Sequence, residues 1–188
     1  MALDFKARVA IVTGAGGGLG RSHALALAQR GAMVVVNDLG GSVQGQGGDQ
    51  AAAQQVVNEI TAAGGTALAN FDNIATPQGA QALVDAAMSA FGRVDVLINN
   101  AGILRDKSLV KMDPADFEAV IRVHLIGSAL CSRAVWPVFQ ERQYGRIVMT
   151  TSAAGLYGNF GQSNYAAAKM GLVGLMNALK DEGARYGI

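Results

Sequence analysis

The chain has 188 residues, 51% of them hydrophobic, which suits one domain with a sizeable core. Its formal net charge of +1 is not gathered into basic or acidic runs, so nothing directs it to nucleic acid or to an anionic membrane surface. A single cysteine, Cys131, excludes an internal disulfide and fits a reducing compartment.

The opening MALDFKARVAIVTG lacks the apolar core of a signal peptide, and no apolar stretch reads as long enough to span a bilayer. The expectation is a soluble protein of the cytoplasm. In chain order, ARVAIVT (7–13) reads as a strand and is followed by a helix over 18–30. MVVVND (33–38) is a second strand, followed by a helix over 49–63. ALAN (67–70) and a helix over 77–91 come next, then DVLINN (95–100). A long helix over 114–139 follows, with Asp113 able to cap it, Pro114 at its first position and Pro137 expected to bend its far end. RIVMT (146–150) is the fifth strand, and the last helix runs from 163 to about 186. Most of the strands are nearly continuous apolar runs, as strands buried on both faces are. Such alternation predicts an α/β fold, a Rossmann-type doubly wound parallel sheet in a single domain, with every strand C-terminus on one edge.

TGAGGGLG (13–20) joins the first strand to the first helix. Gly14, Gly18 and Gly20, with Leu19 between the last two, let the chain turn tightly and let backbone approach a pyrophosphate at a helix N-terminus. Asp38 ends the second strand, where a carboxylate can accept hydrogen bonds from both ribose hydroxyls of an adenosine. It would repel a 2′-phosphate, so NAD is favoured over NADP as the cofactor. After the third strand Asp72 and Asn73 can meet an adenine ring. After the fourth, NNAG brings Asn100, Ala101 and Gly102, the last two small enough to leave room for the cofactor. No metal is invoked.

NYAAAKM (164–170) sets Tyr165 and Lys169 on one face of an alanine-rich helix. Ser152 lies just past the fifth strand. These residues, with the glycine turn and NNAG, resemble the short-chain dehydrogenase/reductase family over the whole chain. NDLGG with its Gly/Gln-rich insert, NNAGILRD, VHLIGS and YGNFGQSNYAAAK are most similar to the (3R)-hydroxyacyl-CoA dehydrogenase part of multifunctional β-oxidation enzymes. The resemblance implies that Ser152, Tyr165 and Lys169 are catalytic, that Lys169 also holds the nicotinamide ribose, and that an acyl-CoA is oxidised. For a eukaryotic source it implies a peroxisome. A tyrosine titrates near pH 10 in water, so using one as a base near neutrality requires about 4 kcal/mol of phenolate stabilisation. A neighbouring ammonium and an oxidised nicotinamide both favour the phenolate. Where most members have an asparagine that holds a water beside the lysine, this chain has His124, either a proton relay or a histidine satisfied within the helices.

Substrate contacts are expected from Leu104, Arg105, Leu156, Tyr157 and Phe160, besides Ser152 and Tyr165. The helices over 114–139 and 163–186 carry more apolar and small residues than one sheet face needs, which predicts a homodimer or homotetramer. The family would begin another strand where this sequence stops, so RIVMT is expected to be an open edge or paired with another segment, and the 188 residues part of a longer polypeptide, not a competent enzyme alone. Rival readings are a steroid or small secondary-alcohol dehydrogenase, a 3-oxoacyl reductase, and a protein that binds NAD without turnover. A Ser–His–Asp hydrolase needs a histidine beside Ser152, and TTSAA lacks the G-x-S-x-G elbow.

Overall fold

Val, Ile and Leu in unbroken runs give strands with no polar face, so both faces must be covered. The computed structural model, which describes residues 3–188, shows this arrangement. Strands β1 (Val9–Thr13), β2 (Met33–Asn37), β3 (Thr66–Asn70), β4 (Val96–Asn99) and β5 (Arg146–Met149) form one parallel sheet in the order β3-β2-β1-β4-β5. Alternate residues of β1 serve opposite cores. Val12, with Val34 and Val36, packs under α1 (Gly18–Gln29) and α2 (Ala51–Ala62), where Ala24, Val56 and Ile60 are buried. Ile11, with Val35 and Leu97, packs under α3 (Pro77–Phe91) and α5 (Gly127–Arg142), against Leu83, Val135 and Phe139.

Asp95 locks the lower end of the sheet. Its buried carboxylate accepts from Arg8 at 2.9 Å, from Arg93 at 2.6 Å and from the Val9 N–H at 2.8 Å. Burial alone would raise its pKa, but the hydrogen bonds from Arg93, Val9 and Arg8 outweigh that and hold it below the usual carboxylate range.

The long helix differs from its expected form. It begins as α4 (Pro114–Ile121), with Asp113 capping the Ala115 N–H at 2.8 Å, and passes through a π-helical turn (Arg122–Ile126) before α5. It then continues past Pro137 to Arg142. A proline there forfeits one helical hydrogen bond, and burial of Val135 and Phe139 on either side offsets the loss. Within the 29-residue run Pro114–Arg142 one 18-residue window reaches a mean hydropathy of 1.2, enough to cross a membrane by length and composition only. Its inner face is nevertheless core, with Val120, Cys131, Val135 and Phe139 fully buried.

A short helix, α6 (Ala153–Tyr157), lies between β5 and α7 (Ser163–Gly183) and was not predicted. β5 also departs from the pattern of its neighbours. Among the described residues it pairs only with β4, and Val148 is 46% exposed.

Candidate active site

The glycine turn is built for close approach. Gly14 has φ +62°, and a Cβ there would lie 2.6 Å from Ala101 Cα. At Gly20 a Cβ would stand 2.2 Å from the Gly14 carbonyl oxygen and 2.6 Å from Asn100 Nδ2. Gly18 has φ +53° with nothing within 4 Å, so its glycine serves conformation rather than space. Gly17 caps α1 without a side-chain hydrogen bond, so the first-turn N–H groups have no side-chain acceptor. Leu19 beside them is largely exposed. A dinucleotide pyrophosphate fits this cradle.

Asn100 is the clip that holds the cradle open. Its Nδ2 donates to the Thr13 and Gly14 carbonyls, both at 3.0 Å, while Thr13 Oγ1 accepts from the N–H groups of Asn100 and Ala101. Thr13 had no assigned role in the sequence; its only cue was its place before the first glycine of the turn. Gly102, read as room for a cofactor, makes room for a side chain as well: a Cβ would lie 2.2 Å from His124 Cε1.

Asp38 sits at the end of β2 with Oδ2 accepting from Gly16 N–H and Oδ1 from Gly40 N–H, both at 2.8 Å. Each oxygen keeps a second lone pair, which suits two ribose hydroxyls. Asp72 belongs to a polar network across the β2–β3 end: Asn37 Nδ2 donates to Asn70 Oδ1 at 2.7 Å, and Asn70 Nδ2 to Asp72 Oδ2 at 2.7 Å. Asn73 lies on the surface beyond it, its Oδ1 taking the Ala75 N–H in a turn.

Tyr165 lies between His124 and Lys169, with its ring close to both, while Ser152 follows β5 at the start of α6, which packs on α7 beside Lys169. Ser152 caps α6, its Oγ accepting from Ala154 N–H at 3.2 Å, which leaves its own O–H to donate elsewhere. α6 is pressed onto α7 at Gly155, where a Cβ would lie 3.0 Å from Lys169 Cβ. Lys169 is 3% exposed and its Nζ donates to the Thr150 carbonyl at 2.5 Å. Its Nζ lies 5.4 Å from the Tyr165 ring centre. Burial lowers its pKa to about 8. Asn164 is fully buried and was not foreseen; its Nδ2 donates to the Arg105 carbonyl at 3.1 Å, fixing the start of α7 against the segment after NNAG.

His124 projects from the π-helical turn, and its ring meets Tyr165 edge-on with centres 5.3 Å apart. Its Nε2 lies 3.0 Å from the Ile103 nitrogen and 2.9 Å from the Ile103 oxygen, and its buried Nδ1 has no protein partner. Burial and the charge of Lys169 lower its pKa to about 4. The ring is therefore neutral at pH 7. Since the unfolded histidine titrates near 6.5, the unfolded chain takes up a proton that the folded protein refuses as pH falls from 6.5 towards 4. This should cost about 3 kcal/mol of stability across that window. Urea denaturation at pH 7 and pH 4.5 should show the loss, and His124→Asn should shrink the difference; an unchanged difference would contradict the buried neutral imidazole.

The expected substrate side is uneven. Arg105 is committed, with its guanidinium on Asp116 at 2.8 Å and on the Gln44 carbonyl at 3.2 Å. Leu104 is half-buried, whereas Leu156, Tyr157 (87%) and Phe160 (91%) stand in the open. Among the described residues no hydrogen bond joins Ser152 to either histidine, so no hydrolytic triad forms.

A parallel sheet with a glycine turn after β1, a buried lysine one turn from a tyrosine, and a serine just past the fifth strand is the arrangement of a dinucleotide-dependent oxidoreductase. The family model for short chain dehydrogenases matches residues 8–188, and the chain belongs to that family, whose members use NAD(P). It is 58% identical over 183 residues to the peroxisomal multifunctional enzyme A of Dictyostelium discoideum, covering 97% of this chain and 41% of that protein. It is 56% identical to the peroxisomal hydratase-dehydrogenase-epimerase of Saccharomyces cerevisiae, covering 99% of this chain and 20% of that protein. The chain thus spans less than half the length of either relative. A crystal structure of a short chain dehydrogenase from Mycobacterium avium superposes with a TM-score of 0.89 at 47% identity, over 97% of this chain and 65% of that one.

Proposed function

We propose that this protein oxidises a (3R)-3-hydroxyacyl-CoA to the 3-oxoacyl-CoA with NAD. The reading is carried by the buried Lys169, pinned by Thr150 and set beside the Tyr165 ring. An ammonium in that position stabilises a phenolate, so Tyr165 can accept the substrate hydroxyl proton. The Ser152 O–H, free because Oγ already accepts from Ala154, donates to the substrate oxygen and holds it against Tyr165. The nicotinamide supplies the acceptor for the C3 hydride. His124 fixes Ile103 through Nε2, and its free Nδ1 can hold a water that carries the proton onward. Exposed Leu156, Tyr157 and Phe160 suit an acyl chain, and the similarity to multifunctional peroxisomal enzymes supports a CoA thioester and, in a eukaryote, a peroxisomal location. The test is formation of reduced cofactor from (3R)-3-hydroxyacyl-CoA set against steroid and simple secondary alcohols.

Within this reading Asp38 selects NAD. Asp38→Ala should weaken NAD binding by about tenfold, the worth of one charge-assisted hydrogen bond, and NADP binding much less. Fluorescence titration with both reduced cofactors checks it; an unchanged preference would contradict the ribose assignment.

The reading includes self-association. Trp136 and Pro137 on α5 face Leu175 and Leu179 on α7 across an open groove, and Met176 is exposed nearby. These surfaces suit a second copy, in a homodimer or homotetramer. Sedimentation should show no stable monomer, and a stable, active monomer would contradict this part. The unpaired outer edge of β5 suits a further strand from a longer polypeptide in the same way.

A further inference from the structure

The Gly/Gln-rich insert between β2 and α2 is a closed loop. Its neck is pinched where Asp49 N–H donates to the Gly40 carbonyl at 2.8 Å, and its tip turns back on itself where Ser42 N–H donates to the Gln46 carbonyl at 2.8 Å. The tip does not hang free. Leu104 N–H donates to the Val43 carbonyl at 2.9 Å, and Arg105 Nε to the Gln44 carbonyl at 3.2 Å. Gly45, at φ +76°, lies so close to Ile103 that a Cβ there would sit 3.0 Å from Ile103 Cγ2.

Topology decides what this loop spans. β2 and β4 flank β1 in the sheet, so a loop that leaves β2 and rests on the segment after β4 crosses the C-terminal end of β1. That end carries the glycine turn. The neck is fixed by Asp38, which accepts from Gly40 N–H, and the far end rests on Ile103–Arg105, which His124 and Asn164 hold against the Tyr165 helix. From Leu39 to Gly48 the loop has no charged side chain, so nothing in it repels a pyrophosphate.

Resting on the reading of the glycine turn as a nicotinamide-dinucleotide site, we propose that residues 39–49 are a strap that closes over the bound dinucleotide between its adenosine and nicotinamide ends. Its bonds to Leu104 and Arg105 are the latch, and opening the latch releases the cofactor. The chemistry recognised is that of a nucleoside diphosphate moiety, enclosed by uncharged backbone.

Stopped-flow fluorescence of NADH release tests this. In one variant two glycines replace residues 41–48; because the neck is already closed by Gly40 and Asp49, neither β2 nor α2 need move. In the other, Gly45→Val, a branched side chain is strained at φ +76° and crowds Ile103, which should lift the tip. Both should release NADH about tenfold faster or more, with association changed by less than about threefold, as expected when a covering segment is lost. Release within about twofold of the parent in a variant with native circular dichroism would overturn the strap while leaving the cofactor site intact. Failure of the unaltered protein to bind NADH at all would overturn the underlying site reading, and the strap with it.

Discussion

Tyr165→Phe should lower turnover by about 10²–10⁴-fold, the usual worth of a positioned acid–base group, while NADH affinity stays unchanged. The substitution removes only the phenol oxygen. The ring's edge-on contact with His124 survives, as does the Asn164 bond that seats the start of α7. The cofactor cradle is untouched, because its bonds run between Asn100 and the Thr13 and Gly14 carbonyls, with Thr13 Oγ1 holding the Asn100 N–H, and none of them involves Tyr165. Equal losses in turnover and in NADH binding would make the tyrosine a structural residue.

Lys169→Met should have two effects of opposite sign. Turnover should fall by at least about 10²-fold, since the phenolate loses its neighbouring cation. Stability at pH 7 should rise. A lysine in water titrates near 10.5, and burial lowers this one to about 8. Below pH 8 the folded protein holds a buried ammonium, at a cost on the order of 3 kcal/mol. Losing the hydrogen bond to the Thr150 carbonyl returns about 1 kcal/mol or more of that, so the net gain should be about 1–2 kcal/mol. Between pH 8 and 10.5 the unfolded chain keeps a proton that the folded protein has released, so the parent becomes more stable as pH rises. The advantage of the methionine variant should therefore fade through that window. Denaturation of parent and variant at pH 7 and pH 10 checks it; a variant less stable at pH 7 would contradict the buried charge.

Much of this was legible in the sequence because the signals are local. A glycine turn between a strand and a helix, or a tyrosine and lysine one helical turn apart, needs no knowledge of distant contacts. The strands read correctly within a residue or two, except that β5 shows an exposed face where its apolar letters suggested burial. What the sequence hid depends on contacts far along the chain. Asn100 looks like a turn former until its amide is seen bridging Thr13 and Gly14. Gly102 looks like space for a cofactor until the His124 imidazole is found lying against it. The π-helical turn that aims His124 at Ile103 leaves no mark in the helical periodicity of 114–139. Arg105, a plausible substrate contact by position, is taken up by Asp116 and Gln44. The Gly/Gln-rich insert carried a family resemblance but no hint that its tip would reach the segment after β4.

Formation of NADH from (3R)-3-hydroxyacyl-CoA by the native protein, compared with the (3S) isomer and with steroid and simple secondary alcohols, bears most directly on the site. The proposed function predicts NADH from the (3R) thioester and little from the others. NADH formed from the (3S) isomer or a steroid but not from the (3R) thioester, or none formed by a protein that binds NAD tightly, would contradict it.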